Sequence, residues 1–220
     1  MSPSCAANSG SDRDVNLRTL STATRKGVPV VLAPFTTAEA DRVFELCQDP
    51  EIQRWTTIPS PYPREAAESY VTDFAQAAWR QLAEGSFTTQ TEGPELIWGI
   101  RVGEGSSLAG LWGSIGLKIH GAGQVEIGWW LGSGARGHGI VRASVALLLE
   151  TAFSPAAPIR AEAVLWHAFV GNLPSARIAQ RTGFAYTGEV EKFDRPHWSA
   201  VIHPGDPIAP RNDWPDLERP

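Results

Sequence analysis

Between Gly132 and Gly139 the chain reads Gly-Ser-Gly-Ala-Arg-Gly-His-Gly, with four glycines and one arginine in eight residues. Glycine is needed where the backbone takes a positive φ or where a ligand must come close to it. An apolar run at helical spacing follows, so the turn opens a helix. The first N–H groups of a helix lack intrahelical acceptors, and its dipole favours an anion there. Arg136 adds a guanidinium able to fork onto phosphate oxygens. The chemistry indicated is binding of a phosphate or pyrophosphate. Gly132, Gly134 and Gly137 also spell the dinucleotide fingerprint G-x-G-x-x-G. That reading demands an acidic residue at the end of the next strand to hold a ribose. Here the strand ends Leu165-Trp166-His167, and the strands before the turn look antiparallel, both of which count against a nicotinamide cofactor. A turn with no ligand needs fewer glycines than are present.

The elements that must position this turn alternate along the chain. Pro29 to Phe35 is a short apolar strand, followed by a capping box of Thr36 and Glu39. Ala40, Val43, Phe44 and Cys47 then recur at helical spacing until Asp49-Pro50 ends the helix. A second helix is predicted over Arg64 to Ala83. Three strands, Glu95 to Val102, Leu108 to Ile119 and Gln124 to Leu131, are separated by glycine-bearing turns, as in an antiparallel meander. A helix runs from Gly139 to Phe153. Ile159 to Trp166 is a strand, Leu173 to Thr182 a helix closed by Gly183, and Phe184 to Phe193 a further strand, with a last one around His197 to His203. The expected architecture is α+β (α/β): a mixed, mostly antiparallel twisted sheet of about six or seven strands with helices on both faces. Residues 1–27 read as a flexible leader, 28–203 as the domain, and 204–220 as a Pro-rich tail lying on the surface or disordered.

At 220 residues the chain is long enough for one well-packed domain, and a net charge of -5 argues against a protein that wraps nucleic acid. It suits a cationic partner such as an amine. Two cysteines, Cys5 in the polar leader and Cys47 on an apolar helix face, make a disulfide framework improbable. No apolar run has the length of a signal peptide or membrane span, so the expectation is a cytoplasmic protein without a membrane partner. His120, His167 and His197 lack metal spacing and Cys5 is remote from them, so no metal is expected. Trp98, Trp112, Trp129, Trp130, Trp166 and Trp198 fall on or beside strands. Most should be core, with one or two free to line a cleft.

Several ordered motifs resemble the GCN5-related N-acetyltransferase (GNAT) superfamily. Arg136-Gly137-His138-Gly139 matches its acetyl-CoA motif in the R-G-x-G form. Glu126-Ile127-Gly128-Trp129-Trp130-Leu131 is similar to the E-I-G-Y-W-L strand of the ribosomal-protein alanine N-acetyltransferase (RimJ/RimL-like) branch. Asn172-Leu173-Pro174-Ser175 with Gly183-Phe184 resembles the N-x-x-S…G-F of that branch, and Asp49-Pro50-Glu51-Ile52 with Trp55 its D-P-x-V…W. The resemblance covers residues of about 29 to 200. Two positions depart from it: Val141, where Ala or Gly is usual, and the added cation Arg142.

What the resemblance implies is an acetyl-CoA-dependent N-acetyltransferase with acetyl-CoA as co-substrate. Trp129, Trp130, Leu131, Arg136, Gly137, His138, Gly139 and Ile140 would hold the cofactor, with Asn172 on the pantetheine arm. The tyrosine many members use as general acid is replaced by Ala179, so Ser175 is the implied acid. Glu126 and Asp194 compete as base, with Glu126 slightly ahead because Asp194 is one methylene short of the glutamate of that branch. Trp55 and Trp112 are candidates for the acceptor wall. The acceptor is a protein or peptide α-amine, or alternatively a small-molecule amine such as an antibiotic or polyamine. A non-catalytic acyl-CoA-binding module is the third reading, and a homodimer is left open.

Overall fold

The computed structural model describes residues 17–216. Its strands are β1 (Leu20–Ala23), β2 (Pro29–Ala33), β3 (Glu92–Val102), β4 (Gly110–Gly121), β5 (Gln124–Leu131), β6 (Ala163–Phe169), β7 (Ala185–Lys192) and β8 (Arg195–Ile202). Its helices are α1 (Ala40–Leu46), α2 (Pro50–Trp55), α3 (Arg64–Thr72), α4 (Ala77–Ala83), α5 (Ile140–Phe153) and α6 (Leu173–Arg181). The strands form one sheet in the order β1-β2-β3-β4-β5-β6-β8-β7. Every neighbouring pair is antiparallel except β5 and β6, which α5 connects as a parallel crossover.

Alternation along the strands sorts side chains to two cores. On one face Leu96, Trp98 and Ile100 of β3, Ile115 and Leu117 of β4, and Val125 and Ile127 of β5 are buried with Val145, Leu148 and Leu149 of α5. On the other, Ile97 and Leu111 are buried with Val43, Cys47, Ile52, Ala67 and Val71 of α1, α2 and α3. Helices therefore cover both faces. Burial pushes the Cys47 thiol up to about 12, as expected of a packing cysteine. Cys5 lies outside the described residues. No described helix is long and apolar enough to cross a membrane.

The structure departs from the sequence reading at several places. The sheet has eight strands, because β1 forms inside the segment expected to be a flexible leader. Leu17 and Leu20 are buried there, and the Trp98 indole donates to the Leu17 carbonyl at 2.8 Å. The predicted helix over Arg64 to Ala83 breaks at Asp73 into α3, a 3-10 turn at Phe74–Gln76, and α4. Gln76 fastens the break by donating to the carbonyls of Phe35 and Val71. Asp49-Pro50 ends one helix but also starts α2, the Asp49 carboxylate capping the Glu51 N–H at 2.9 Å. β6 begins at Ala163 rather than Ile159, since Arg160 sits at φ 41, outside any strand conformation. The C-terminal stretch has no regular element through Asp216, yet it docks: Trp214 donates to the Phe184 carbonyl and its ring lies 5.7 Å from that of Trp166.

Deleting the chain through Ala23 strips two buried leucines and a hydrogen bond from the β2–β3 side. Each leucine contributes about 1.5–3 kcal/mol by burial, so a stability loss of about 3 kcal/mol or more is expected as a lower urea midpoint. An unchanged midpoint would show that β1 does not belong to the cooperative unit.

Candidate active site

The site is opened by an interruption in the sheet. β5 and β6 pair from Gln124↔Ala163 to Ile127↔Trp166 and no further. From Gly128 onward β5 is hydrogen-bonded only to β4, so its β6-facing backbone has no strand partner. Two cavities flank this splay, one of about 270 Å³ and one of about 520 Å³. They share Trp55, Thr56, Trp129, Trp130, Asn172 and Ser175, so they meet at those side chains.

The smaller cavity starts at the glycine-rich turn. The four glycines divide into two kinds of need. Gly137 and Gly139 hold φ of 79 and 80, the left-handed conformation that other residues rarely adopt. Gly132 and Gly134 are needed for packing instead: a Cβ on Gly132 would lie 2.5 Å from the Leu46 side chain, and one on Gly134 2.8 Å from the Trp112 ring. The dinucleotide fingerprint is thus assembled from glycines with unrelated tasks. α5 begins at Gly139 with no side-chain cap and no acidic residue in its first turn, which leaves its N-terminal N–H groups available to an anion. Arg142 lines the same cavity, and its guanidinium is held down by burial and by the charges of Arg25 and Arg181 close by.

Arg136 lines the smaller cavity and also braces the turn. Its Nε donates to the Leu131 carbonyl at 3.0 Å and an Nη to the Asp49 carboxylate at 2.8 Å. These two bonds clamp the turn to the start of α2 while the side chain stays part-exposed at the cavity. His138 Nδ1 lies 3.0 Å from the Arg136 carbonyl, and His138 is not among the residues lining either cavity. Trp112 is absent from both linings too. It packs against the outside of the turn beneath the Arg42 guanidinium, 4.7 Å from the ring centre. Trp129, Trp130, Leu131, Arg136, Gly137, Gly139, Ile140 and Asn172 do line the smaller cavity, and Trp55 lines both.

Ser175 sits in the first turn of α6, where its N–H is capped by the Asn172 side chain at 3.3 Å. Its Oγ lies 3.2 Å from Nε1 of the buried Trp166. An indole N–H can only donate, so Ser175 Oγ accepts and its own O–H stays free to donate, on a side chain that lines both cavities.

The carboxylates fall into three environments. Glu126 is held by Lys192 Nζ at 2.7 Å, His120 Nε2 at 2.9 Å and His167 Nδ1 at 3.2 Å. Burial alone would raise its carboxyl, but the hydrogen bonds from His167 and Lys192 outweigh that and hold it well below the usual carboxylate range. This is a fixed anion and a poor resting place for a proton. Asp194 stands on the exposed β7–β8 turn at φ 54 and lines neither cavity, so the structure does not bring it to Ser175. Glu95, which the sequence reading passed over, lines the larger cavity beside Tyr70, Ser114 and Gly116. Burial, then the negative charge of Glu126, pushes its carboxyl up to about 7, with Lys118 opposing. The only hint in the sequence was a glutamate directly before an apolar run, and a strand-opening glutamate ordinarily reads as solvated.

A carboxyl raised on folding binds its proton more tightly in the folded state. Its stabilisation is full below the unfolded value and is lost as pH rises through about 7. E95Q should therefore be more stable than the parent at pH 8, by roughly 1–3 kcal/mol, and no more stable at pH 4. Urea titrations at the two pH values check this, and equal gains at both would show that Glu95 is not strained.

The acetyltransferase (GNAT) domain family model matches residues 30–185. Solved structures of similar fold include Mycobacterium smegmatis RimJ in complex with CoA-disulfide, at 18% identity and a TM-score of 0.65 over 84% of this chain and 86% of that one. Another is the microcin C7 self immunity acetyltransferase MccE in complex with acetyl-CoA and AMP, at 18% identity and 0.61 over 79% and 92%. A third is RimL, a ribosomal L7/L12 α-N-protein acetyltransferase in complex with CoA, at 14% and 0.63 over 79% and 93%. No curated protein matches the chain by sequence.

Proposed function

The chain belongs to the GNAT acetyltransferase family, and from that premise we propose that it moves the acetyl group of acetyl-CoA to the α-amine of a peptide or protein N-terminus. The observation that carries this reading is the meeting of two cavities at Asn172, Ser175, Trp129 and Trp130.

The smaller cavity fits acetyl-CoA. The uncapped start of α5 and the bare face of Gly137 suit a pyrophosphate, and the Arg142 region adds positive charge. Beyond them the wall turns apolar along Leu131, Val141 and Ile178, as a pantetheine arm needs. The backbone groups of Gly128 to Trp130 that face away from β4 offer N–H and C=O to amides on that arm. When bound, acetyl-CoA supplies an activated acetyl and a thiolate leaving group. Ser175, with its O–H free to donate, is the group able to protonate that sulfur. Glu126 fixes Lys192 and His167 along the cleft and serves as structural charge. Asp194 has no cavity contact that supports a direct role.

The larger cavity suits the acceptor. Its walls carry Trp55, Tyr70, Trp130 and Phe169, and Phe74 and Phe193 stand exposed at its margin, 54% and 66% accessible. Exposed aromatic rings there favour an acceptor that continues out of the cleft, as a peptide does.

Release of free thiol from acetyl-CoA, measured against peptides, aminoglycosides and polyamines, tests the proposal. Peptides should be turned over best, and S175A should lower kcat roughly 100-fold while the KM for acetyl-CoA stays within about twofold. Turnover confined to small amines would move the acceptor class, and an unaffected S175A would remove Ser175 as the acid.

A further inference from the structure

We propose that Glu95 is the catalytic base of this enzyme, its carboxylate turned by a bulge in β3 across a floor of two paired glycines to take the proton of the acceptor amine. The proposal rests on the acetyltransferase reading above and names the proton acceptor that reading lacks.

The geometry begins with strand register. Gly93 pairs with Ile119 and Leu96 with Leu117, so β3 spends one residue more than β4 over the same step. Such a bulge re-aims a side chain next to it. Pro94, which brings no N–H to the ladder, stands within the bulge immediately before Glu95. The result is a carboxylate lying over Gly116, its Oε1 occupying the space a Cβ there would fill. Gly116 faces Gly128 across the β4–β5 ladder, and a Cβ on Gly128 would meet nothing. Two side chains are thus missing from the sheet face between Glu95 and the start of the β5–β6 splay. A small group entering there lies on bare backbone with a carboxylate at its side.

The surroundings decide what that carboxylate can do. Glu126 has three nitrogen partners within 3.2 Å, whereas among the described residues Glu95 has no hydrogen bond and no ion pair. Tyr70 of α3 faces it, but the Tyr70 hydroxyl is engaged with Ser114 Oγ at 2.8 Å. From β4 comes the exposed Lys118, and from β5 Glu126 with its partners Lys192, His167 and His120. An unpaired carboxylate in a cleft of aromatic walls attracts a cation, and the acceptor arrives as one. Its carboxyl, raised to about 7, matches a proton acceptor for an α-amine of pKa about 8. A proton placed on Glu126 would instead break its contact with Lys192.

The step balances as follows. The ammonium gives one proton to Glu95, and the neutral nitrogen forms a bond to the acetyl carbon. The carbon–sulfur bond breaks with its electron pair on sulfur, which gains a proton from the Ser175 hydroxyl. The second proton leaving nitrogen restores that hydroxyl, and Glu95 returns its own proton to solvent. Nothing is oxidised or reduced.

The test is E95Q, which keeps size and removes basicity. At pH 7.5 its kcat/KM should fall about 100-fold or more, with acetyl-CoA affinity within about twofold. With an acceptor whose amine stays protonated throughout the range, the parent's kcat/KM should rise with pH and level off above about 7 as Glu95 ionises, a titration limb that E95Q should lose. G116A provides a second variant, since its added methyl displaces the carboxylate while the backbone φ allows alanine. It should lower kcat with CoA affinity intact. An E95Q that keeps turnover within about threefold and retains the limb overturns the proposal and leaves the acetyltransferase reading standing. If E95Q loses CoA binding through misfolding, G116A decides, and unchanged turnover overturns it. A parent chain with no turnover on any amine overturns both.

Discussion

β5 and β6 run side by side as the sheet's parallel pair, and their ladder ends at Ile127↔Trp166 with both strands still continuing. A backbone cannot leave its polar groups unmet in a protein interior without a penalty of about 1–3 kcal/mol each. The splay is therefore stable only where water or a ligand reaches it, and it becomes a cleft rather than a core. Everything functional is arranged by that gap. α5 starts at the end of β5, α6 starts at the end of β6, and their first turns carry the glycine-rich turn and Ser175 to the two sides of one opening. The clamp from Arg136 to Asp49 joins α2 to the same rim and brings Trp55 with it.

Two glutamates on neighbouring parts of the sheet show how environment separates chemically identical groups. Glu126 collects Lys192, His167 and His120 and is locked as an anion, while Glu95 is left alone over glycine and pays for burial with a raised proton affinity. The first charge also raises the second, so the ion-paired residue helps tune the unpaired one.

Much of this architecture was legible in the sequence. Alternation gave the central meander, helical spacing gave α5 and α6, and the ordered motifs gave the fold and the family. What remained hidden is of one kind: residue types were visible but their partners were not. Arg136 was visible as a cation in the turn, but nothing in a sequence says that Asp49, 87 residues earlier, will also hold its guanidinium. Trp112 looked like a cleft wall, yet it fills the space left by Gly134. Glu95 drew no reading beyond the start of a strand, because a bulge is a matter of register between two strands and leaves no local signature beyond Pro94. β1 was missed because Leu17 and Leu20 are too few apolar residues to stand out from a polar segment, and their burial depends on Trp98 far along the chain.

An open sheet must also have two ends, and here they are β1 and β7 among the described residues. β1 is four residues long and carries Ser21 and Thr22, too short and polar a template for another chain to extend. β7 is longer but bears Glu189, Glu191 and Lys192 and is interrupted by an irregularity at Gly188. Both ends are built as poor docking strips for a stray strand. The fold can thus keep its central ladder broken open for chemistry without inviting sheet-to-sheet aggregation at its borders.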